Sequence, residues 1–410
     1  MTAIIDIYLP ALRRRIRNTL LLGQVLAGLG MGSTLSVGAI LATNLSGSEA
    51  WSGMAATMST LGAALTAIPL ARLASKFGRR RSLCSGALVA ATGAVSTIGA
   101  SVAGSFPLLL VGLGLTGVGS AVSLQSRFAA TDLSEDGTRS KDLSLVVWAT
   151  TAGAIAGPNL IYPGEVFGVI FGLPPLAGPF LLTFIAQLMA ALAYTLGLRP
   201  DPLLIAREAE LGTSNVVGRT SITVAKDRPR LARLATITIA LNQAAMVLVM
   251  SMTPVHLTGQ GASLTVVGFT ISLHVAGMYG LAPLFGALAD RLGRLRIMLL
   301  GQIILFISLL VTGLGASSDW LVTLGLILLG IGWSSSTVAA SSLLTESTSI
   351  ARKAARQGFS DFLMNFSGAL GGAVAGFVLF LVGFRGLSFA AISLVLFVVL
   401  RIFLEKNRSG

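Results

Sequence analysis

The chain has 410 residues, 54% of them hydrophobic and only 11% charged, against roughly a quarter charged in a soluble domain. Its mean hydropathy of +0.84 makes lipid the solvent for most of the chain, and in lipid long apolar runs must close their backbone hydrogen bonds internally, as helices. The alternating pattern of an outer-membrane barrel is absent, and with one cysteine, Cys84, and two histidines an intrachain disulfide and a Cys/His metal cluster are both excluded.

The opening, "MTAIIDIYLPALRRRIRNTL", lacks the layout of a cleavable signal, because its basic cluster follows a short apolar stretch and leads directly into a long hydrophobic segment. It reads either as a helix lying on the cytoplasmic face of the membrane or as a disordered tail. Twelve apolar runs of spanning length follow, at about 18–44, 50–72, 82–103, 106–131, 143–167, 174–197, 232–256, 264–288, 296–316, 320–344, 358–383 and 386–404. Short polar turns separate them. One break is long and charged, residues 198–231, and it divides the chain into a first bundle of six spans (1–197) and a second (232–410) joined by a linker.

The 29 Lys and Arg sort by position. They gather at the N-terminus, in the even-numbered connections, in the linker and at the C-terminus, while the odd-numbered connections hold only Arg385. The positive-inside rule therefore puts both termini and the linker in the cytoplasm. The charge of +13 is thus an insertion signal, and no nucleic-acid partner is expected.

A shift of about 215 residues superimposes the halves: Gly78 falls on Gly293, Arg79 on Arg294, Arg81 on Arg296, Gly153 on Gly368 and Gly157 on Gly372, with Asp132 and Glu346 matching within one residue. Two parallel six-helix units follow, and a substrate site is expected near mid-membrane between such repeats. The phrase "FGALADRLGRLR" between spans eight and nine, with its blurred copy "PLARLASKFGRRR" between spans two and three, resembles the loop signature of the major facilitator superfamily, G-x-L-A-D-R-x-G-R-[RK]. The second copy supplies Gly286, Leu288, Ala289, Asp290, Arg291, Gly293 and Arg294. In the first copy the leading glycine is Ala71 and the acid is Ser75, a departure, since the family usually keeps the first copy better. In span five "GAIAGPNLIYPG", with Gly153, Gly157 and Pro158, resembles the G-x-x-x-G-P motif of the family's drug/proton antiporter-like exporters. Leu160 and Ile161 stand where the fuller motif has two glycines. Glycine there permits close helix approach and Pro158 would bend the helix; a generic glycine packing face is the other reading.

The resemblance implies an all-α membrane protein of twelve transmembrane helices in two pseudo-symmetric six-helix bundles, the major facilitator fold. It also implies a latch that closes the cytoplasmic side. A loop carboxylate can accept from the exposed N–H groups of a helix start. Asp290 is thus expected to hold the start of span five near Asp142 to Ser144, with Arg294 reaching an acid such as Asp132. The matching latch near Gln357 and Asp361 should be weaker because Ser75 has no charge, with Arg79 and Glu346 as its remaining pair. Alternatively, these arginines simply anchor loops at the headgroups.

Polar groups at mid-span are expensive and so mark candidate sites. The family lines its cavity mainly with spans 1, 4, 7 and 10. Candidate substrate contacts are Gln24, Thr34, Gln125, Arg127, Trp148, Asn159, Asn242, Gln243, Met250, Trp333 and Asn365; each could equally be helix-packing filler. Proton-coupled relatives often carry an acid in span one or an arginine in the first half of span four, but span one has no acid and Leu113 occupies the arginine position. His274, with an ordinary pKa near neutrality, and Asp361 are the candidate proton carriers, a helix–helix contact being the other role for His274. No nucleotide-binding GxxxxGK[ST], catalytic triad, cofactor or metal motif is present, and the chain reads as a non-enzyme.

The sequence thus points to a gradient-driven transporter of a small neutral, amphipathic or mildly cationic molecule, working as a monomer in a bacterial inner membrane. Efflux by proton antiport leads. An importer or uncoupled facilitator, or a receptor or scaffold on the same fold, stays open.

Overall fold

The computed structural model describes residues 2–47, 51, 54–135, 137–159, 161–210 and 227–409. In chain order the helices are α1 (Thr2–Ser46), α2 (Met54–Phe77), α3 (Arg79–Ala103), α4 (Phe106–Ala129), α5 (Arg139–Asn159), α6 (Ile161–Ile170), α7 (Gly178–Gly197), α8 (Pro202–Glu210), α9 (Pro229–Met250), α10 (Thr253–Gly259), α11 (Leu264–Gly280), α12 (Ala282–Leu292), α13 (Arg294–Leu314), α14 (Asp319–Glu346) and α15 (Ile350–Ser409). Every expected span falls on one helix or on two consecutive helices. Among the described residues nine helical stretches are long and apolar enough to cross a membrane, and one of them, Ile350–Glu405, carries two expected spans divided where Gly383 leaves the helical conformation.

The described helices pack as two compact units. The first comprises residues 1–136, 149–224 and 350–362, the second 137–148, 225–349 and 363–410. The start of α5 therefore belongs with the second unit and the start of α15 with the first.

In the first unit α1 runs unbroken from Thr2 with Pro10 inside it, so the basic N-terminal segment continues the first span instead of ending before it. Arg15 donates to the carbonyl of Leu196 at 2.8 Å, near the end of α7, where unpaired carbonyls and the helix dipole favour a cation. Arg13 donates to Leu133 O at 2.7 Å and pairs with Glu135. A core of Val37, Leu41, Leu109, Leu113 and Phe180 fills the space among α1, α4 and α7. The linker contributes α8, whose Leu203 packs on Ala74 and Ala354; residues 211–226 of the linker lie outside the described set.

In the second unit α14 is the central helix. Its stretch Ser334 to Thr337 is buried throughout, and small residues bring α13 onto it: a Cβ on Gly301 would come within 2.5 Å of Ser336 N.

The same one-residue turn occurs in both units. Gly78 alone separates α2 from α3, and Gly293 alone separates α12 from α13. Their φ values of 90° and 94°, with ψ of 171° and 146°, lie where essentially only glycine is at ease. Because the turn has no further residue, Arg79 and Arg294 are each the first residue of the following helix.

Candidate functional site

In the second unit α5 starts at Arg139, so its first amides lack intrahelical acceptors. Asp290, in the last turn of α12, takes two of them: Ser140 N to Oδ1 at 3.1 Å and Lys141 N to Oδ2 at 2.9 Å. The carboxylate thus meets the helix start at Ser140 and Lys141, just before the expected Asp142 to Ser144. The reason is that Asp142 N is already bonded to Thr138 O. Arg294 orients the acid from the far side, Nη2 to Oδ1 at 2.8 Å, and reaches Glu346 at 2.5 Å. Ser140 Oγ donates to Ser342 Oγ at 2.6 Å. Gly286 is required by the closeness of this approach, since a Cβ there would lie 2.1 Å from Ser144 Oγ and 2.6 Å from Ser140 O. Arg291 is exposed.

The first unit solves the same problem with different residues. Ser75 donates only to its own helix, at Arg72 O. Arg79 instead grips Asp132, Nε to Oδ2 at 2.8 Å and Nη2 to Oδ1 at 3.3 Å, and donates to Gln357 Oε1 at 2.6 Å on the start of α15. Lys353, also on α15, adds its ammonium to Asp132 at 2.9 Å and to Thr131 O at 3.3 Å. Burial alone would push the Asp132 carboxyl up, but Arg79 and Lys353 outweigh it and hold it below its ordinary value. One turn further along α15, Asp361 pairs with Arg127 of α4 at 2.7 Å, both side chains sealed from solvent.

The expected ion pairs are therefore exchanged: Arg79 takes Asp132 and Arg294 takes Glu346. Each arginine opens a helix packed beside the one whose C-terminal end carries its acid, Asp132 just after α4 and Glu346 as the last residue of α14, so the within-bundle pair is the shorter reach. Among the described residues Ser75 makes no tie to α15; the ties there come from Lys353 to Asp132 and from Arg79 to Gln357. The small residue has changed sides as well: a Cβ on Gly358 of α15 would lie 2.0 Å from Ala71 Cβ. Lys353, Gln357 and Asp361 recur every four residues on one face of α15, a polar stripe on an apolar helix that a periodicity count detects.

The expected substrate contacts divide. Gln24 is buried and donates to Ser123 Oγ at 2.5 Å and Thr150 Oγ1 at 2.7 Å. Gln125 is buried between Ser82 Oγ and Ala67 O. Asn242 accepts from Gln302, whose amide also reaches Ser336. These amides tie neighbouring helices. Gln243 points elsewhere and accepts from Trp333 Nε1 at 3.0 Å. Tyr279 meets the Trp333 ring edge-on, centroids 6.1 Å apart, so α9, α11 and α14 bring an amide and two aromatic rings together. Met250 and Asn365 are half-buried and Trp148 is exposed. His274 is buried on α11, with Nδ1 2.8 Å from Leu326 O and, among the described residues, no partner for Nε2. Gly153 lies where a Cβ would come 2.6 Å from Gly28 Cα, a close crossing of α1 and α5. The side chains of Thr34, Pro158 and Asn159, and Gly157 with them, lie outside the described residues.

Two helix starts tied by charge beside glycine turns, repeated in one chain, are the geometry that the sequence signature encodes. The family model of the Major Facilitator Superfamily matches residues 20–262 and 234–410. The chain belongs to the major facilitator superfamily. Among relatives, it is 34% identical over 388 residues to the MFS-type transporter YdeG of Bacillus subtilis (strain 168), covering 94% of this chain and 89% of that one. It is 26% identical over 408 residues to the riboflavin transporter RfnT of Brucella anthropi, covering 98% of each. Among solved structures it resembles the proton:xylose symporter XylE, with a TM-score of 0.73 at 15% identity, covering 97% of this chain and 96% of that one. As a major facilitator transporter it is an integral, multi-pass membrane protein with the twelve-helix fold.

Proposed function

We propose that this transporter exports a small neutral, amphipathic or mildly cationic organic molecule in exchange for protons, with Asp361 as the proton carrier. In this reading it works as a monomer in a bacterial inner membrane, with both termini and the linker cytoplasmic and residues 1–197 and 232–410 rocking about a central site. The observation that carries the reading is the sealed Arg127–Asp361 pair, 2.7 Å apart, one helical turn from the Arg79–Asp132–Lys353–Gln357 network. A buried pair is held by mutual attraction against a large desolvation cost. A proton added to Asp361 cancels one charge, releases Arg127 and loosens the start of α15 from α4. Loss of that proton re-forms the pair. Gating and protonation thus share one element.

The cargo class rests on charge and chemistry. Arg127, the one permanent charge among the expected contacts, is neutralised by Asp361. The cluster of Gln243, Trp333 and Tyr279 sets an amide beside two aromatic rings, a chemistry suited to flat amphipathic molecules. A relative named for riboflavin transport makes that fluorescent, uncharged heteroaromatic a rational first probe. Export is favoured by the α1–α5 crossing at Gly153 and Gly28. Asp290, Arg294 and Glu346 on one side and Arg79 and Asp132 on the other act as the cytoplasmic latches.

A second reading makes His274 the carrier, favoured by a buried ring whose Nε2 has no partner among the described residues. Proteoliposomes with an imposed pH gradient, loaded with riboflavin and a panel of cationic dyes, separate the two. Asp361→Asn should abolish gradient-driven flux while leaving downhill exchange; retention of driven flux in Asp361→Asn, with its loss in His274→Ala, transfers the role to His274.

A further inference from the structure

A cavity of about 370 Å³ lies in the first unit, walled by Lys76, Phe77, Arg80, Arg81, Asp201 and Leu204. Its size is within the roughly 300–1,000 Å³ of small-molecule sites. One wall is the α2–α3 turn, and the other is the first turn of α8. The wall is fixed: Leu203 of α8 is fully buried against Ala74 and Ala354, and the Asp201 carboxylate accepts from Arg80 N at 2.7 Å, Leu203 N at 3.0 Å and Leu204 N at 3.3 Å. Asp201 is thereby spent as the cap of α8. Among the described residues none of the three cations forms an ion pair with a carboxylate. Lys76 and Arg81 instead flank the Phe77 ring, 5.1 Å and 5.2 Å from its centroid.

We propose that this cavity binds the phosphate headgroup of an anionic membrane phospholipid, with Lys76, Arg80 and Arg81 on the phosphate and Phe77 and Leu204 along the start of the acyl chains. The depth fits, because the cavity opens where two membrane-crossing helices, α2 and α3, meet, and basic pockets at helix ends take anionic headgroups. The apolar wall separates a lipid from a soluble anion: Phe77 is 37% exposed, which is costly facing water and natural at the boundary between headgroups and chains. The second repeat has Arg296 where the first has Arg81, but among the described residues only the first repeat's turn is faced by the Asp201 cap of α8. Since Arg79 sits between the cavity residues and the Asp132 network, lipid occupancy would steady the turn that presents it.

The test uses the full chain, purified in detergent, stripped of lipid and titrated with phosphatidylglycerol while native mass spectrometry counts the lipid retained. Lys76→Gln with Arg81→Gln should weaken the tightest site by roughly 20- to 30-fold, on the scale of two surface cations. Lys76→Arg with Arg81→Lys should restore it, and Arg296→Gln should leave it unchanged. Phosphatidylcholine should not compete. Equal retention by the Gln double variant, an equal loss in Arg296→Gln, or displacement of the lipid by millimolar inorganic phosphate would each overturn the assignment, the last by making the ligand a soluble anion.

Discussion

Arg79 and Asp132 form a two-point ion pair, Nε to Oδ2 at 2.8 Å and Nη2 to Oδ1 at 3.3 Å, with both side chains closed to solvent. Such a pair adds little over an apolar replacement of both partners, but removing one partner strands a buried charge. Asp132→Asn leaves Arg79 and Lys353 facing a neutral amide and should destabilise the protein by about 3–5 kcal/mol. Thermal or denaturant unfolding in detergent checks this, and a loss under 1 kcal/mol would mean that water reaches the network.

The pH behaviour of that network has a definite sign. The Asp132 carboxyl is held below its ordinary value, so its stabilising effect is complete above the unfolded pKa of roughly 4 and disappears only as pH falls through the lowered folded value. Between pH 6 and 8 the Asp132 tie should therefore be indifferent to pH. Unfolding midpoints of the Asp132→Asn variant and the wild type, followed across that range, should run parallel; convergence toward pH 6 would contradict the ionised assignment.

Asp290→Asn keeps one acceptor oxygen but loses the charge shared with Arg294 and the start of α5. The expected loss is about 1.5–3 kcal/mol from whichever state makes these bonds. Transport should fall while the fold remains. A variant with wild-type flux would make Asp290 a headgroup anchor instead of a latch.

The glycine that changed sides gives a compensating pair. Gly358→Ala pushes a methyl group into Ala71, and overpacking of this kind costs about 1–3 kcal/mol. Ala71→Gly in the same chain should return most of it. If the double variant is as impaired as the single one, the α2–α15 approach is not what constrains position 358.

The fold was legible because lipid leaves few options: apolar runs of spanning length must be helices, and the basic connections mark their ends. The turns were legible too, since Gly78 and Gly293 occupy the same place in both repeats. The partners were harder. Asp290 was readable as an acid seeking a helix start, but the start itself moved to Ser140 because α5 opens at Arg139. Arg79 and Arg294 were readable as latch residues, but their acids were exchanged, because repeat symmetry gives equivalent positions without saying which bundle closes each pair. Lys353 lies in a basic connection, where a charge has a topological reason to be, and its sequence position does not show that its ammonium reaches Asp132. Gln24, Gln125 and Asn242 stood out as mid-span polar groups, and sequence could not tell an amide aimed at a cargo from one consumed by the next helix.

The proposal depends on the ties at the starts of α5 and α15 holding the cytoplasmic side shut. Electron spin-label distances between positions 72 and 296, in a Cys84→Ala background, test it most directly. Asp290→Asn combined with Asp132→Asn should shift the distribution toward longer, cytoplasm-open distances without any substrate; a distribution indistinguishable from that of the parent protein would contradict the account.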